Sequence, residues 1–98
     1  MAKAKIFISP LARIDLEEIW LYTFHQWSSN QANKYQDELF DAFELIVNDV
    51  AIGKKMDQIK SGYRYLRVNH HYIFYTCSED LVTIIRVLHE KMDLPRHL

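Results

Sequence analysis

The most constraining feature of this 98-residue chain is the order in which its apolar periodicities change. Between residues 10 and 50 apolar side chains recur at helical spacing, broken only at Ser28-Ser29-Asn30. Beyond Gly62 they crowd into three short runs rich in β-branched and aromatic residues, and one more such run, Lys5-Ile6-Phe7-Ile8, precedes everything. A helical pattern cannot sit as a strand, nor a strand pattern as a helix, because the periods differ (3.6 against 2). The order is therefore strand, helix, helix, strand, strand, strand. Grouped helices and grouped strands predict an α+β domain over residues 1–98, with a helical hairpin on one face of a mostly antiparallel four-stranded sheet.

Local signals sharpen the boundaries. Ser9 can cap a helix whose first turn holds Pro10, where the missing N–H does no harm. Ala12, Leu16, Ile19, Trp20, Thr23 and Trp27 then form an inward stripe, and Trp20 and Trp27 are expected in the core. Glu17 and Glu18 fall off that stripe, while Asp15 lies in the early turns and suits the helix dipole. Ser28 and Gln31 have capping-box spacing for a second helix. Its stripe is Ala32, Tyr35, Leu39, Phe43, Ile46 and Val50, widened by Phe40, Ala42 and Val47, with Gly53 as its expected C-cap beside Lys54 and Lys55. A connection this short makes the helices antiparallel neighbours. After a linker from Met56 to Ser61, strands are expected at Tyr63–Val68, Tyr72–Cys77 and Val82–Leu88, joined by turns at Asn69-His70 and Ser78-Glu79-Asp80. On the first of these, Arg64, Leu66 and Val68 share one face and Tyr63, Tyr65 and Arg67 the other. Pro95 discourages further regular structure. The place of the first strand in the sheet is open.

Cys77 is the only cysteine, so an internal disulfide is impossible. No run of residues approaches the roughly 18 apolar positions of a membrane span, and the basic start, Met1-Ala2-Lys3-Ala4-Lys5-Ile6, lacks the apolar core of a signal peptide. A cytoplasmic protein is expected. The net charge of −1 is unsuited to a protein living on nucleic acid. Residues 1–51 hold four basic groups against eight acidic, and residues 52–98 hold eight against five, so the chain is electrically polar along its length.

Several positions together resemble the ParE branch of the RelE/ParE toxin superfamily. They are Ala12, Asp15-Leu16, Ile19 and Trp27, then Ala32 and Tyr35, then Gly62-Tyr63-Arg64, His71-Tyr72-Ile73-Phe74-Tyr75, and Ile85-Arg86-Val87-Leu88-His89-Glu90-Lys91-Met92-Asp93. The resemblance spans residues 5–93 and implies the element order derived above. It further implies the toxin of a type II toxin–antitoxin system, one that blocks DNA gyrase by binding it and so stops replication. A ParD-like antitoxin, with a DNA-binding part and a disordered part, would wrap and neutralise it in a hetero-oligomer. The superfamily also contains RelE-type ribosome-dependent RNases, and that is the alternative activity.

RNA cleavage needs a general base, a general acid and cations around the phosphate. Arg64, Arg86 and His89 would be the catalytic candidates. Against that, His89 is followed by Glu90 where RNase relatives often place a tyrosine nearby, and residues 29–51 offer only Lys34 where those enzymes carry a lysine-rich helix. Arg64, Arg67, Arg86, His89 and Met92 are instead the candidates for contact with a protein target, with ordinary cross-strand ion pairing as the alternative for the charged ones. No metal or cofactor is expected: His70 and His71 should point to opposite strand faces, His89 and His97 have no recognised ligand spacing, and Cys77 lacks a partner. Ile14 and Leu21 lie opposite the inward stripe of the first helix, and Leu45 lies off that of the second. If they adjoin across the hairpin, they form a groove for an amphipathic antitoxin helix.

Overall fold

The computed structural model describes residues 4–98; Met1, Ala2 and Lys3, which open the stretch weighed as a leader, lie outside them. Ser9 separates the first two elements, β1 (Lys5–Ile8) and α1 (Pro10–Gln26). Its hydroxyl accepts the Ala12 N–H at 3.1 Å and donates to the Ile85 carbonyl at 2.7 Å, so one side chain caps the helix and ties it to the sheet. Ser28 caps α2 (Ser29–Asn48) in the same way, accepting the Gln31 N–H at 3.1 Å. Four further strands follow, β2 (Lys54–Lys55), β3 (Arg64–Val68), β4 (His71–Ser78) and β5 (Leu81–His89), and then one helical turn, α3 (Leu94–His97).

The sheet order is β1-β5-β4-β3-β2. The last four strands make an antiparallel meander, and β1 runs parallel to β5 at the edge, with Lys5 opposite Leu81 and Ile8 opposite Ile84. The sheet thus has five strands and not four. The fifth is β2, two residues beside Arg64 and Tyr65, formed where the linker doubles back through a Met56 N–H bond to the Tyr63 carbonyl.

The hairpin covers one face. Leu16 from α1 and Leu39, Phe43 and Ile46 from α2 pack on Ile73, Tyr75, Val82, Ile84 and Val87. Burying a side chain such as Leu39 or Ile46 stabilises the fold by roughly 1.5–3 kcal/mol. The alternation along β5 is reset by a bulge: Phe74 pairs with Arg86 and Tyr75 with Ile84, which leaves Ile85 unmatched and turns both Ile84 and Val87 inward. Phe74 and Leu88 project to the other face, where Met56, the tyrosines Tyr63, Tyr65 and Tyr72, and the tail residues Leu94 and Leu98 gather round them.

Four sequence expectations are corrected. Trp27 is not core; it follows the last helical residue, Gln26, as the C-cap of α1 with φ −132° and ψ −89°, so its side chain no longer follows the helical stripe, and it is 76% exposed. Phe40 also stays in solvent, stacked edge-on against Phe43. Gly53 does not cap α2, which ends at Asn48 with Asp49 donating its N–H to Leu45. Gly53 has an ordinary φ of −78°, and it is needed because a Cβ there would sit 2.2 Å from the Tyr75 hydroxyl. That hydroxyl accepts the Gly53 N–H at 2.8 Å and donates to the Val50 carbonyl at 2.7 Å. Finally, Pro95 does not end regular structure but sits second in the single turn of α3 (Leu94–His97), where a missing N–H breaks no helical hydrogen bond.

Candidate functional site

β1 stops opposite Ile84, so β5 continues to His89 with no strand on that side. Asp15 occupies the gap. Its carboxylate accepts the Val87 N–H at 3.0 Å and both Nε and Nη2 of Arg86, at 2.8 and 2.9 Å. The pair is nearly dry, the two side chains being 8% and 15% exposed, and the hydrogen bond to Asp15 raises the Arg86 pKa further. Asp15 therefore acts as a strap between α1 and the sheet edge, a role beyond the dipole effect expected of it.

Beyond this pair, the later half of α1, the first turns of α2, the β3–β4 turn and the end of β5 enclose a groove of about 800 Å³. Ile19, Tyr22 and Trp27 form its α1 wall, and Tyr35 and Glu38 come from α2. His70 and His71, then His89 and Met92, close the sheet end. Tyr22 is 67% exposed, so the wall is aromatic and open.

The histidines do not diverge as strand alternation suggested. His70 lies in the turn, not on the strand, and its ring stacks 6.2 Å from His89; His71, paired across the ladder with His89, meets it edge-on at 5.1 Å. Among the described residues no group of three or more His, Cys, Asp or Glu is placed to hold a metal. The His71 Nδ1 lies 2.6 Å from the Tyr35 hydroxyl, which also contacts the Val68 carbonyl at 3.2 Å. If the phenol donates to Val68, a neutral His71 donates to the phenol oxygen. Burial, with His89 and His70 nearby, lowers the His71 pKa to about 4. Burial and then Glu38 push Tyr35 up to about 12. Both groups thus stay neutral near pH 7, and neither is tuned to exchange protons there.

The remaining charges are largely spoken for. Glu90 accepts from His70 at 3.0 Å and pairs with Arg67, and the His70 bond first, then the Arg67 charge, hold its carboxyl below its ordinary range. Arg64 donates to the Gly53 carbonyl at 2.8 Å, on the β2 side of the sheet. His89 accepts the Lys91 N–H on Nδ1 at 3.1 Å. Of the five residues proposed for target contact, the groove gathers Arg86, His89 and Met92, and leaves Arg64 and Arg67 outside. Asp15 and Arg86 pair with each other, and the other two carboxylates lining the groove are Glu18 and Glu38. Ile14, Leu21 and Leu45 are all exposed, at 48%, 50% and 53%. Tyr22, Trp27, Glu18 and Glu38 were not picked out as site residues. Apart from the place of Trp27 in the family resemblance, their sequence signal was an acidic and aromatic surplus on the two helices, which helical periodicity by itself assigns to core or solvent.

The chain matches the family model described as ParE toxin of type II toxin-antitoxin system, parDE, over residues 6–94. It is 38% identical over 96 residues to Toxin ParE1 of Mycobacterium tuberculosis, covering 97% of this chain and 98% of that one. Its fold is similar to a chain of the chromosomal ParDE toxin–antitoxin system from P. aeruginosa, with a TM-score of 0.78 at 13% identity over 89% of this chain and 96% of the other. A chain of the RelBE2 toxin–antitoxin complex of M. tuberculosis superposes with a TM-score of 0.63 at 19% identity, covering 90% and 99%. By the family match and the near full-length identity, the chain belongs to the ParE toxins of type II toxin–antitoxin systems.

Proposed function

We propose that this toxin acts by binding a protein target, DNA gyrase, and not by catalysis, and that a ParD-like antitoxin neutralises it in a cytoplasmic hetero-oligomer. The observation that carries the reading is the chemistry of the groove. Arg86, the one arginine lining it among the described residues, is engaged by Asp15, two further carboxylates line it, and the half-buried Tyr35–His71 pair is held neutral. RNA would bring phosphates to a site that repels them, and phosphate neutralisation supplies most of the affinity for nucleic acid. Tyr22, Trp27 and Met92, large and exposed, are the kind of side chains that anchor protein interfaces. His89 and Met92 are then proposed target contacts, while Arg86 shapes the groove from behind. Ile14, Leu21 and Leu45 remain the proposed seat of an antitoxin helix.

The RelE-like RNase reading is tested against it directly. Expression without antitoxin is expected to give filamentous cells with damaged DNA and intact transcripts. Cleavage of transcripts within translated codons, abolished by His89→Ala, would establish the RNase reading instead.

A further inference from the structure

The groove of about 800 Å³ is acidic and aromatic together, and that combination selects the chemistry of what enters it. Trp27, 76% exposed, is the most exposed large apolar residue of the described chain, and it stands at the apex of the helical hairpin with Tyr22 along the same wall. An indole left in water at the mouth of a cleft is an anchor without a partner. Glu18, exposed on the α1 wall, feels the Arg86 charge, which Asp15 already engages directly, and Glu38 spends one carboxylate oxygen on Asn69 at 2.9 Å. The Asp15–Arg86 pair satisfies itself and offers the groove no free cation.

We propose that the groove receives a basic segment of the toxin's protein target, one presenting an arginine or lysine beside an apolar side chain. The inference rests on the reading that this groove engages the target, and it names the chemistry of the entering segment. The charge complementarity is specific. The aliphatic stem of an arginine lies along the ring faces of Tyr22 and Trp27, its guanidinium reaches Glu18 and Glu38, and the apolar neighbour meets Met92. An acidic segment would face uncompensated carboxylates.

The test begins with the purified chain and a display library of random 16-residue peptides. Peptides bearing Arg or Lys next to Leu, Phe or Trp are expected to be enriched. For the best of them, Trp27→Ala should weaken binding about 30-fold, as for an interfacial hot spot. Glu18→Lys, at an exposed position, should weaken it several-fold and more at low salt. Glu38→Gln provides a second carboxylate variant, and matched thermal unfolding curves confirm that each variant is folded. Enrichment of acidic peptides, binding indifferent to Glu18→Lys and Trp27→Ala, no enrichment, or tighter binding of a 20-nucleotide RNA at the same site would each overturn the proposal. If gyrase still binds and is inhibited equally by the Glu18→Lys protein, the inference fails while the proposed function stands.

Discussion

Replacing Asp15 by alanine should be the most damaging single polar change in this protein. Three donors lose their acceptor at once: the Arg86 Nε, the Arg86 Nη2 and the Val87 N–H. Removing one partner of a buried ion pair costs about 3–5 kcal/mol, because the other charge stays buried and uncompensated. Arg86 keeps some solvent at 15% exposure and a further bond to the His97 carbonyl at 3.2 Å, which favours the lower end, about 3 kcal/mol. In a 98-residue domain each kcal/mol moves Tm by roughly 4–8 °C, so a fall of about 12–24 °C is expected. Urea denaturation followed by tryptophan fluorescence measures it, with an unchanged slope confirming that the denatured state is not the cause. The double variant Asp15→Leu with Arg86→Met should recover much of the loss, since an apolar pair leaves no charge stranded. A loss below about 1 kcal/mol for Asp15→Ala would refute the claim that this pair is dry and straps α1 to the sheet.

Three further outcomes follow from the same geometry. Gly53→Ala should cost about 1–3 kcal/mol in denaturant melts, since its Cβ would collide with the Tyr75 hydroxyl and displace two hydrogen bonds, whereas a neutral effect would mean that the loop yields easily. Glu79 and Asp80 both have positive φ, 50° and 64°, in a two-residue hairpin turn, so installing Asn-Gly there should add about 1 kcal/mol of stability. His71 titrates near 6.5 unfolded but at about 4 folded, so the unfolded chain takes up the proton first as pH falls. Stability from this group is whole above about pH 6.5 and is lost between there and about pH 4; an NMR titration should show His71 neutral at pH 5, and an imidazolium signal there would contradict its burial.

Much of the architecture was legible because local signals agreed with the long-range fold. Ser9 and Ser28 mark helix starts by hydrogen bonds that the structure contains, Pro10 opens the first helix, and the three late strands lie within one residue of their expected ends. β2 was not, because two residues carry no period, and neither was the parallel pairing of β1 with β5, which joins residues more than seventy positions apart. Trp27 departs from expectation for a physical reason: spacing says which side of a helix faces inward, not where the helix ends, and Trp27 already has the non-helical backbone of the C-cap. The groove was hidden for the same kind of reason. Arg86, His89 and Met92 were picked out as cations, a histidine and an apolar side chain near one another in sequence, yet the groove's character comes from Asp15 neutralising Arg86 across 71 positions, and from Tyr22, Trp27, Glu18 and Glu38 on the opposite wall.

The central claim is that this ParE toxin disables a protein machine without performing chemistry. Titrating purified, antitoxin-free toxin into a gyrase supercoiling reaction tests it most directly. Stoichiometric loss of supercoiling, reversed when toxin is removed and absent for Trp27→Ala, is the expected result. Undiminished supercoiling at a large molar excess of folded toxin would contradict it.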